Sequence, residues 1–256
     1  MTDAIRVERI DGILSLTFNR PEKKNAVTAD MYAAMATALT DAENDGTTRV
    51  VLFRGAAQQF SAGNDLGDFL ENPPADENAP AFAFLNALAT ASLPYVAAVD
   101  GVAVGIGTTL LLHCDFVLVT EQARLQMPFV NLGLVPEAAS TMLLPRLVGH
   151  ARAAELLLLG VPMDGPQAVA LGLANRVVPA ERLDEEALAI ARTLAGKAPG
   201  ALRATKVLMR AAPKPIAEVM NEEIAVFTRL LKSPESREAF AAFLEKRPPQ
   251  HEPGGH

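Results

Sequence analysis

The sequence predicts an α/β protein in which helices connect the strands. Four segments rich in apolar and β-branched residues have strand character, at residues 13–18, 50–53, 95–99 and 116–119. Between the first two of these, Thr28 is a suitable N-cap for a segment in which Met31, Met35 and Leu39 recur at helical spacing. A further helical run begins near Thr108. Strands joined through helices are typical of α/β crossover architectures.

The second half of the chain is predicted to be mostly helical, since the strand signal fades after about Arg146. Helices are predicted at residues 151–159, 183–194, 202–209 and 216–231, and Ser233 is suited to cap a last helix that runs to Lys246. Prolines and acidic residues at 67–80 predict a loop, and the Pro- and Gly-rich residues 248–256 predict a disordered tail. We therefore divide the chain into a core at 1–195 and a C-terminal helical region at 196–256.

Composition excludes several classes of protein. The chain has 256 residues, of which 50% are hydrophobic, and a formal net charge of -7 without a basic run, so we expect a globular protein that does not bind nucleic acid. Its single cysteine, Cys114, excludes an intrachain disulfide and fits a reducing compartment. The N-terminal residues lack a signal-peptide pattern, and no apolar run is long enough to span a bilayer, so we predict a cytoplasmic protein without a membrane partner.

Two glycine-containing turns are candidate binding elements. One covers residues 60–66, after the strand at 50–53, and the other covers residues 101–109 and leads into an apolar helix. Together they could direct two backbone amides at one oxygen as an oxyanion hole, in which losing one donor typically costs about 2.7–4 kcal/mol in the transition state. The alternative is that both are merely tight turns. A dinucleotide fingerprint is a poor fit, because Leu110 stands where the third glycine should be.

Glu137 is the candidate acid or base. It follows Pro136 in a segment of small and apolar residues, where burial would raise its pKa and suit proton transfer. It could instead be a first-turn glutamate that favours a helix dipole. His113 lies in an apolar segment and is expected to be a hydrogen-bonded core residue, and Cys114 a small buried hydrophobe. The histidines lack metal-ligand spacing, so we predict no metal.

Several motifs, in order along nearly the full chain, resemble the crotonase, or enoyl-CoA hydratase/isomerase, superfamily. They are Asn-Arg-Pro at 19–21 with Asn25 and Ala26, Phe-Ser-Ala-Gly-Asn-Asp-Leu at 60–66, the turn at 100–107, Cys114 with Asp115, and Phe-Leu-Glu-Lys-Arg at 243–247. The resemblance implies a spiral core of β-β-α turns and a C-terminal helical region that mediates assembly into a homotrimer, often a dimer of trimers. It also implies an acyl-CoA thioester substrate and no cofactor apart from the CoA carried by that substrate.

The resemblance also implies roles for particular residues. The backbone amides of Asn64 and Ile106 would hold the thioester oxygen, and the Ile106 side chain, where hydratases commonly have glycine, should narrow the pocket. Residues expected to border the CoA moiety or the substrate are Lys23, Lys24, Ala62, Asp65, Leu66, Gly105 and Lys246, the last from a neighbouring subunit. Any one of these lysines could equally be a solvated surface charge.

The resemblance favours isomerisation over hydration. The positions that match the two hydratase glutamates hold Thr109 and Phe129, neither of which can act as a carboxylate. The Pro136-Glu137 pair instead resembles the turn of isomerases that convert 3-enoyl-CoA to trans-2-enoyl-CoA, in which a single glutamate moves a proton from C2 to C4. The alternatives are another crotonase-type hydrolase, decarboxylase or lyase, a weak hydratase, and an acyl-CoA-binding paralogue without turnover, because superfamily membership does not fix the reaction.

Overall fold

A six-stranded sheet lies at the centre of the fold in the computed structural model, which describes residues 4–72, 79–211, 220–221, 224–227, 229, 233–247 and 250. The strands are β1 (Ile5–Ile10), β2 (Ile13–Phe18), β3 (Val50–Gly55), β4 (Tyr95–Val99), β5 (Val102–Val104), β6 (Phe116–Val119), β7 (Arg124–Gln126), β8 (Met163–Asp164) and β9 (Arg176–Val177). The helices are α1 (Ala29–Asn44), α2 (Leu66–Glu71), α3 (Pro80–Thr90), α4 (Ile106–Thr109), α5 (Ser140–Val148), α6 (His150–Leu158), α7 (Gly165–Ala170), α8 (Leu183–Ala195), α9 (Pro199–Met209) and α10 (Pro234–Leu244).

The strand order shows a spiral. The large sheet runs β1-β2-β3-β4-β6-β9, with β1 and β2 antiparallel and every later pair parallel. A second, smaller sheet contains β5, β7 and β8, and it is extended by bridges from Ser61 to Ala103 and from Asn64 to Val27. Successive turns of the chain thus add one segment to each layer. This arrangement confirms the predicted α/β class and the spiral core that the resemblance implies.

The central strands of the large sheet are buried on both faces, which explains their nearly continuous apolar sequences, whereas the edge strands β1 and β9 are largely exposed. Every residue of β2 and β4 is buried. Residues such as Leu16, Phe53 and Tyr95 face the main core beneath α1 and α3, whereas alternate residues such as Leu52 and Val96 face α8. The sheet is therefore rigid, and the turns after its strands are held in fixed positions.

The structure confirms the strands predicted at 13–18, 95–99 and 116–119, and extends the strand predicted at 50–53 to Gly55. The predicted N-cap of α1 is also correct, since the Met31 amide donates to the Thr28 hydroxyl at 3.4 Å. The predicted loop at 67–80 is wrong at its start and its end, because α2 begins at Leu66 and α3 at Pro80; residues 73–78 lie outside the described part of the chain. Asp65 nucleates α2 by accepting bonds from the amides of Gly67 and Asp68.

Helices of the second half lie near their predicted positions. α6, α8 and α9 correspond to the segments predicted at 151–159, 183–194 and 202–209, and α5 precedes them. The Ser236 amide donates to the Ser233 hydroxyl at 3.1 Å, which supports the predicted cap of α10. Most of the predicted helix at 216–231, and the predicted tail apart from Gln250, lie outside the described residues. The domain division at residue 195 stays a prediction. Of the helices that are described, none combines the length and apolar character needed to cross a membrane.

Candidate active site

The two glycine-containing turns lie side by side. The Ser61 amide donates to the Val102 carbonyl at 2.9 Å, and the Val104 amide donates to the Ser61 carbonyl at 2.9 Å. This parallel bridge pairs Ser61 with Ala103, and Gly63 packs against the backbone of Val104 and Gly105, so the segments that lead to Asn64 and to Ile106 run side by side. The turns are therefore one joined structure rather than two unrelated bends.

Glycine permits the close approach of these turns. Gly63 has φ +86, and a Cβ atom there would stand 2.7 Å from the Val104 carbonyl oxygen. Gly105 has φ 55 at the N-cap of α4, a conformation that L-residues rarely adopt. A side chain at Gly63 would push the two turns apart, whereas a side chain at Gly105 would strain the backbone, because its Cβ would meet only Phe129 Cζ at 3.9 Å.

The amides of Asn64 and Ile106 are available as donors. Flanking bonds hold the first turn, since the Val27 amide donates to the Gly63 carbonyl and the Asp65 amide donates to the Val27 carbonyl, both at 2.8 Å. Ile106 is the first residue of α4, where an N–H has no partner within the helix. Within the described residues, neither the Asn64 nor the Ile106 amide has an acceptor. The side-by-side turns and these free donors are compatible with an oxyanion hole.

Glu137 is a largely buried carboxyl with few partners. Its Oε1 accepts a hydrogen bond from the Thr109 hydroxyl, whereas its Oε2 is buried without a hydrogen-bond partner among the described residues. Burial raises the pKa of Glu137 to about 7, and the Thr109 hydrogen bond opposes that rise. Glu137 precedes α5 by three residues, so it is not a first-turn residue of that helix. The helix-dipole alternative is therefore excluded.

The turn that presents Glu137 is held in an unusual backbone conformation. Ala138 and Ala139 both have φ 53, in the left-handed region that costs L-residues energy. The Ser140 amide and hydroxyl both donate to the Glu137 carbonyl, at 3.0 and 2.6 Å. His113 Nε2 lies 2.9 Å from the Ala138 carbonyl oxygen. These contacts keep the strained turn in place and so fix the base of the Glu137 side chain.

His113 acts as a neutral donor to this turn. Its Nδ1 lies 3.0 Å from the Arg210 guanidinium, which can only donate, so Nδ1 accepts and Nε2 carries the proton. Burial lowers the pKa of His113, and the nearby Arg210 and Lys206 charges lower it further. The prediction that His113 is a hydrogen-bonded core residue is confirmed. Burial likewise raises the pKa of the Cys114 thiol, which fits the prediction of an unreactive cysteine.

Aromatic residues lie beside both of the glycine-containing turns. Tyr32 is buried, packs against Phe84 with ring centroids 5.6 Å apart, and donates its hydroxyl proton to Asn64 Oδ1 at 2.6 Å. Burial raises the pKa of Tyr32 well above 10, and the Glu137 charge adds to that rise. Phe129 lies beside Gly105, where an added Cβ atom would stand 3.9 Å from its ring. Tyr32 thus contacts Asn64 on the first turn, and Thr109 connects Glu137 to the helix that begins at Ile106.

Most of the predicted CoA-binding residues lie near the first turn, whereas Lys246 lies in the C-terminal region. Lys23, Lys24 and Leu66 are exposed near the first turn, and the Ala62 amide donates to the Lys24 carbonyl at 2.9 Å. Asp65 uses both carboxylate oxygens within the chain, one as the cap of α2 and one in an ion pair with Arg20 at 3.1 Å. Lys246 is exposed just after α10, and no described contact links it to the other candidate residues. The roles of these residues toward CoA stay predictions.

Sequence reasoning missed several residues that shape this site. Tyr32 and Arg210 lie far from Glu137 along the chain, and their segments carry no motif that indicates proximity. Thr109 was noted only as a position without a carboxylate, although a threonine one turn after a helix start is a plausible hydroxyl donor. No group of three or more metal-ligand side chains occurs among the described residues.

Comparisons with known proteins agree with this architecture. A model of the enoyl-CoA hydratase/isomerase family matches residues 8–254. The chain is 38% identical to the 1,2-epoxyphenylacetyl-CoA isomerase of Escherichia coli K12, covering 93% of this chain and 94% of that protein. It is 36% identical to enoyl-CoA delta isomerase 2 of Rattus norvegicus over 93% of this chain, and spans 62% of the length of that relative.

A solved structure from Magnetospirillum magneticum AMB-1, provisionally named an enoyl-CoA hydratase/carnithine racemase, has a TM-score of 0.94 at 46% identity. The match covers 98% of this chain and 99% of that one. Fold and site therefore define a crotonase-type acyl-CoA enzyme. The chain belongs to the enoyl-CoA hydratase/isomerase family. Other relatives are named as hydratases, so the comparisons establish the family and not the reaction.

Proposed function

We propose that the protein converts 3-enoyl-CoA thioesters to trans-2-enoyl-CoA, with Glu137 as the only proton carrier. The supporting observation is the Glu137 carboxyl itself, which is buried beside the candidate oxyanion hole with its Oε2 unpartnered among the described residues. Burial raises its pKa to about 7, so both protonation states are accessible near neutral pH. A group that must accept and then return a proton benefits from such a pKa.

In the proposed reaction the thioester oxygen accepts hydrogen bonds from the Asn64 and Ile106 amides. Glu137 Oε2 removes a proton from C2, and the electron pair of the C2–H bond moves into a dienolate whose negative charge lies on that oxygen. The Oε2 proton is then delivered to C4, the double bond moves to C2–C3, and the carbonyl re-forms. The carboxylate is regenerated, and no cofactor is needed. Amides that are already fixed in place lower the barrier because they need not reorganise.

Hydration is a weaker candidate because it needs water activated between two carboxylates. Thr109 and Phe129 occupy the positions that would hold those carboxylates, and no second acid among the described residues affects the Glu137 pKa. We further propose that the buried rings of Phe84, Tyr32 and Phe129 restrict access of water to the dienolate. One base in an apolar surrounding supports proton transfer along the substrate.

The CoA moiety is proposed to lie along the first turn, near Lys23, Lys24, Ala62 and Leu66, with Gly105 beside the thioester. The lysines are exposed and cationic, as a phosphate-binding edge requires. A homotrimer is proposed as the functional assembly, in which Lys246 of one subunit would approach the CoA phosphates of the next. Exposed apolar residues such as Val135 and Leu158 support burial of further surface in an assembly.

The test is an isomerase assay in deuterated buffer with 3-enoyl-CoA, 2-enoyl-CoA and saturated acyl-CoA. We expect the wild-type protein to form 2-enoyl-CoA, and Glu137→Gln to lower kcat by about 10²–10⁴-fold, the usual contribution of a general base. Glu121→Gln, which changes an exposed glutamate, is the matched control and should retain full activity. Circular dichroism would establish that both variants fold.

Each other outcome identifies a different reaction. Release of free thiol would indicate a hydrolase, formation of 3-hydroxyacyl-CoA a hydratase, and tight binding without deuterium exchange at C2 a non-catalytic paralogue. Full isomerase activity in Glu137→Gln would show that another group is the base.

A further inference from the structure

Thr109 has a hydroxyl group in an unusual position for a buried threonine. The residue is fully buried at the end of α4, and its hydroxyl contacts Glu137 Oε1 and, at 3.3 Å, the Gly105 carbonyl oxygen. A threonine within a helix ordinarily donates to the carbonyl one turn earlier, which here is that of Gly105. The single hydroxyl proton can be given to only one of these two acceptors at a time.

The Gly105 carbonyl does not need that proton. It already accepts bonds from the Thr108 and Thr109 amides, both at 2.9 Å, which occupy its two lone pairs. Glu137 Oε1, in contrast, has no other donor among the described residues. The hydroxyl proton of Thr109 is therefore directed at Glu137, where the bond to a charged acceptor is also stronger.

The two oxygens of Glu137 are thus unequal. Oε1 is fixed by Thr109, and Oε2 is buried without a partner among the described residues. We propose that Thr109 is the positioning residue that immobilises Oε1 and thereby makes Oε2 the oxygen that carries the proton. The inference rests on the proposed isomerase function. When Oε2 holds the proton, Oε1 remains an acceptor, so the Thr109 bond persists through the whole reaction.

The hydrogen bond between Thr109 and Glu137 also affects the candidate oxyanion hole, because Thr109 and Ile106 both belong to α4. Ile106, whose amide is a candidate oxyanion donor, begins α4, and Thr109 ends it three residues later. The two residues are separated by about 4.5 Å along the axis, at the usual rise of 1.5 Å per residue. Since one rigid turn carries both groups, Thr109 couples the position of the acid to the position of the thioester oxygen.

Other titratable groups near Glu137 do not replace Thr109. Tyr32, from α1, has a pKa raised well above 10, so it is neutral at every working pH. His113 contacts the neighbouring Ala138 carbonyl as a neutral donor, and Arg210, the residue that follows α9, faces the far side of the imidazole ring. The Thr109 hydroxyl is therefore the side-chain donor that favours the charged form of Glu137.

The experiment compares Thr109→Val, which removes the hydroxyl and retains the shape, with Thr109→Ser, which retains the hydroxyl. The wild-type kcat/KM is expected to rise with pH through about 7, because Glu137 must be ionised to remove the C2 proton. In Thr109→Val this midpoint should move upward by about one pH unit, and kcat should fall about tenfold with little change in KM. Thr109→Ser should restore both values.

Thr108→Val is the matched control. Thr108 is an equally buried threonine of the same helix, but its hydroxyl contacts the backbone of Ala103 and Gln126 instead of Glu137. Its loss is expected to lower stability without moving the pH midpoint. A midpoint that moves equally in Thr108→Val and Thr109→Val would show a merely structural effect and overturn the proposal.

A direct titration separates this proposal from the proposed function. The Glu137 carboxyl can be followed by 13C NMR in protein labelled at the glutamate carboxyl carbon, with Glu137→Gln assigning the signal. If the wild-type protein isomerises none of the 3-enoyl-CoA substrates, the proposed function fails, yet a raised Glu137 pKa in Thr109→Val would still support the role of Thr109. An unchanged carboxyl titration in that variant would overturn it.

Discussion

Two partly buried acids of this protein, Glu137 and Asp115, have contrasting surroundings. Asp115 Oδ2 accepts a bond from the Tyr95 amide and one from the Lys206 ammonium, both at 2.7 Å, and Lys206 also donates to the Leu93 carbonyl at 2.6 Å. Glu137 has one neutral hydroxyl donor and a buried oxygen without a partner among the described residues. One acid is compensated by a cation, and the other is not.

This difference fits a structural role for Asp115 and the proposed proton-transfer role for Glu137. Lys206 is only 4% exposed and lies 4.2 Å from the Tyr95 ring centroid, so the Asp115 pair fastens α9 to the strand β4. Glu137 lacks any such cation, and its pKa is raised to about 7. A buried carboxyl without a neighbouring cation has a raised pKa, so it can accept and release a proton readily near neutral pH.

Breaking the compensated pair should have the largest effect on stability. Lys206→Met leaves the Asp115 carboxylate, whose side chain is 23% exposed, without its cation, and we expect a cost of about 3 kcal/mol, the lower end of the range for a fully buried pair. We expect the free energy of unfolding in urea to fall by that amount, while the pH midpoint of isomerase activity stays unchanged because Lys206 has no contact with Glu137.

The double variant Lys206→Met with Asp115→Asn tests the cause of that loss. Removing both charges should recover part of the lost stability, because no uncompensated charge is left buried. Equal losses in the single and double variants would show that the packing of the Lys206 stem, and not its charge, holds α9.

The uncompensated acid should make stability fall with rising pH. An ordinary glutamate has a pKa of 4.5, and Glu137 in the folded protein has one of about 7. The folded state therefore binds the proton more tightly, so this stabilising contribution is complete below pH 4.5 and is lost as the pH rises to about 7. At 1.36 kcal/mol per pH unit, the total loss is about 3 kcal/mol.

The measurement is urea denaturation of the wild-type protein and of Glu137→Gln between pH 5 and pH 8. The neutral glutamine should make the variant increasingly more stable than the wild-type protein as the pH rises. Two curves that run parallel across this range would mean that Glu137 is solvated and not a buried acid.

Sequence reasoning was most successful where a pattern is local. The buried strands β2, β4 and β6 are continuous apolar runs, so their bounds were predicted correctly. β1 was missed because it is an edge strand in which Arg6, Glu8 and Arg9 interrupt the apolar pattern. The short strands β5 and β7, with three residues each, give no detectable periodicity.

The same distinction between local and distant signals holds for the candidate site. The two turns and Glu137 have recognisable local composition, and the resemblance to the crotonase superfamily implies the amides of Asn64 and Ile106, so these groups were predicted. The partners of Glu137 were not, because hydrogen bonds such as those of Thr109 and His113 depend on how the spiral superposes distant segments. The sequence predicts that burial raises the pKa of Glu137, whereas the opposing hydrogen bond from Thr109 is seen only in the structure.

The smallest expected effect concerns Tyr32, a neutral donor near the uncompensated acid. Tyr32→Phe removes the hydroxyl that donates to Asn64 Oδ1 at 2.6 Å, at a cost of about 1 kcal/mol in the free energy of unfolding. We expect kcat/KM to fall several-fold, because the Asn64 side chain beside the oxyanion hole is less restrained. The pH midpoint should stay the same, since a hydroxyl that is neutral throughout adds no charge near Glu137.

Tyr95→Phe is the control for this last prediction. Tyr95 is another buried tyrosine, but its hydroxyl has no hydrogen-bond partner among the described residues. Removing that hydroxyl should leave stability unchanged or slightly increased, because an unsatisfied polar group is lost and the ring beneath Lys206 remains. A pH midpoint that moved in Tyr32→Phe would show that Tyr32, and not Thr109 alone, sets the charge state of Glu137. The contrast between the two acids would then have to include a second hydroxyl donor on the catalytic side.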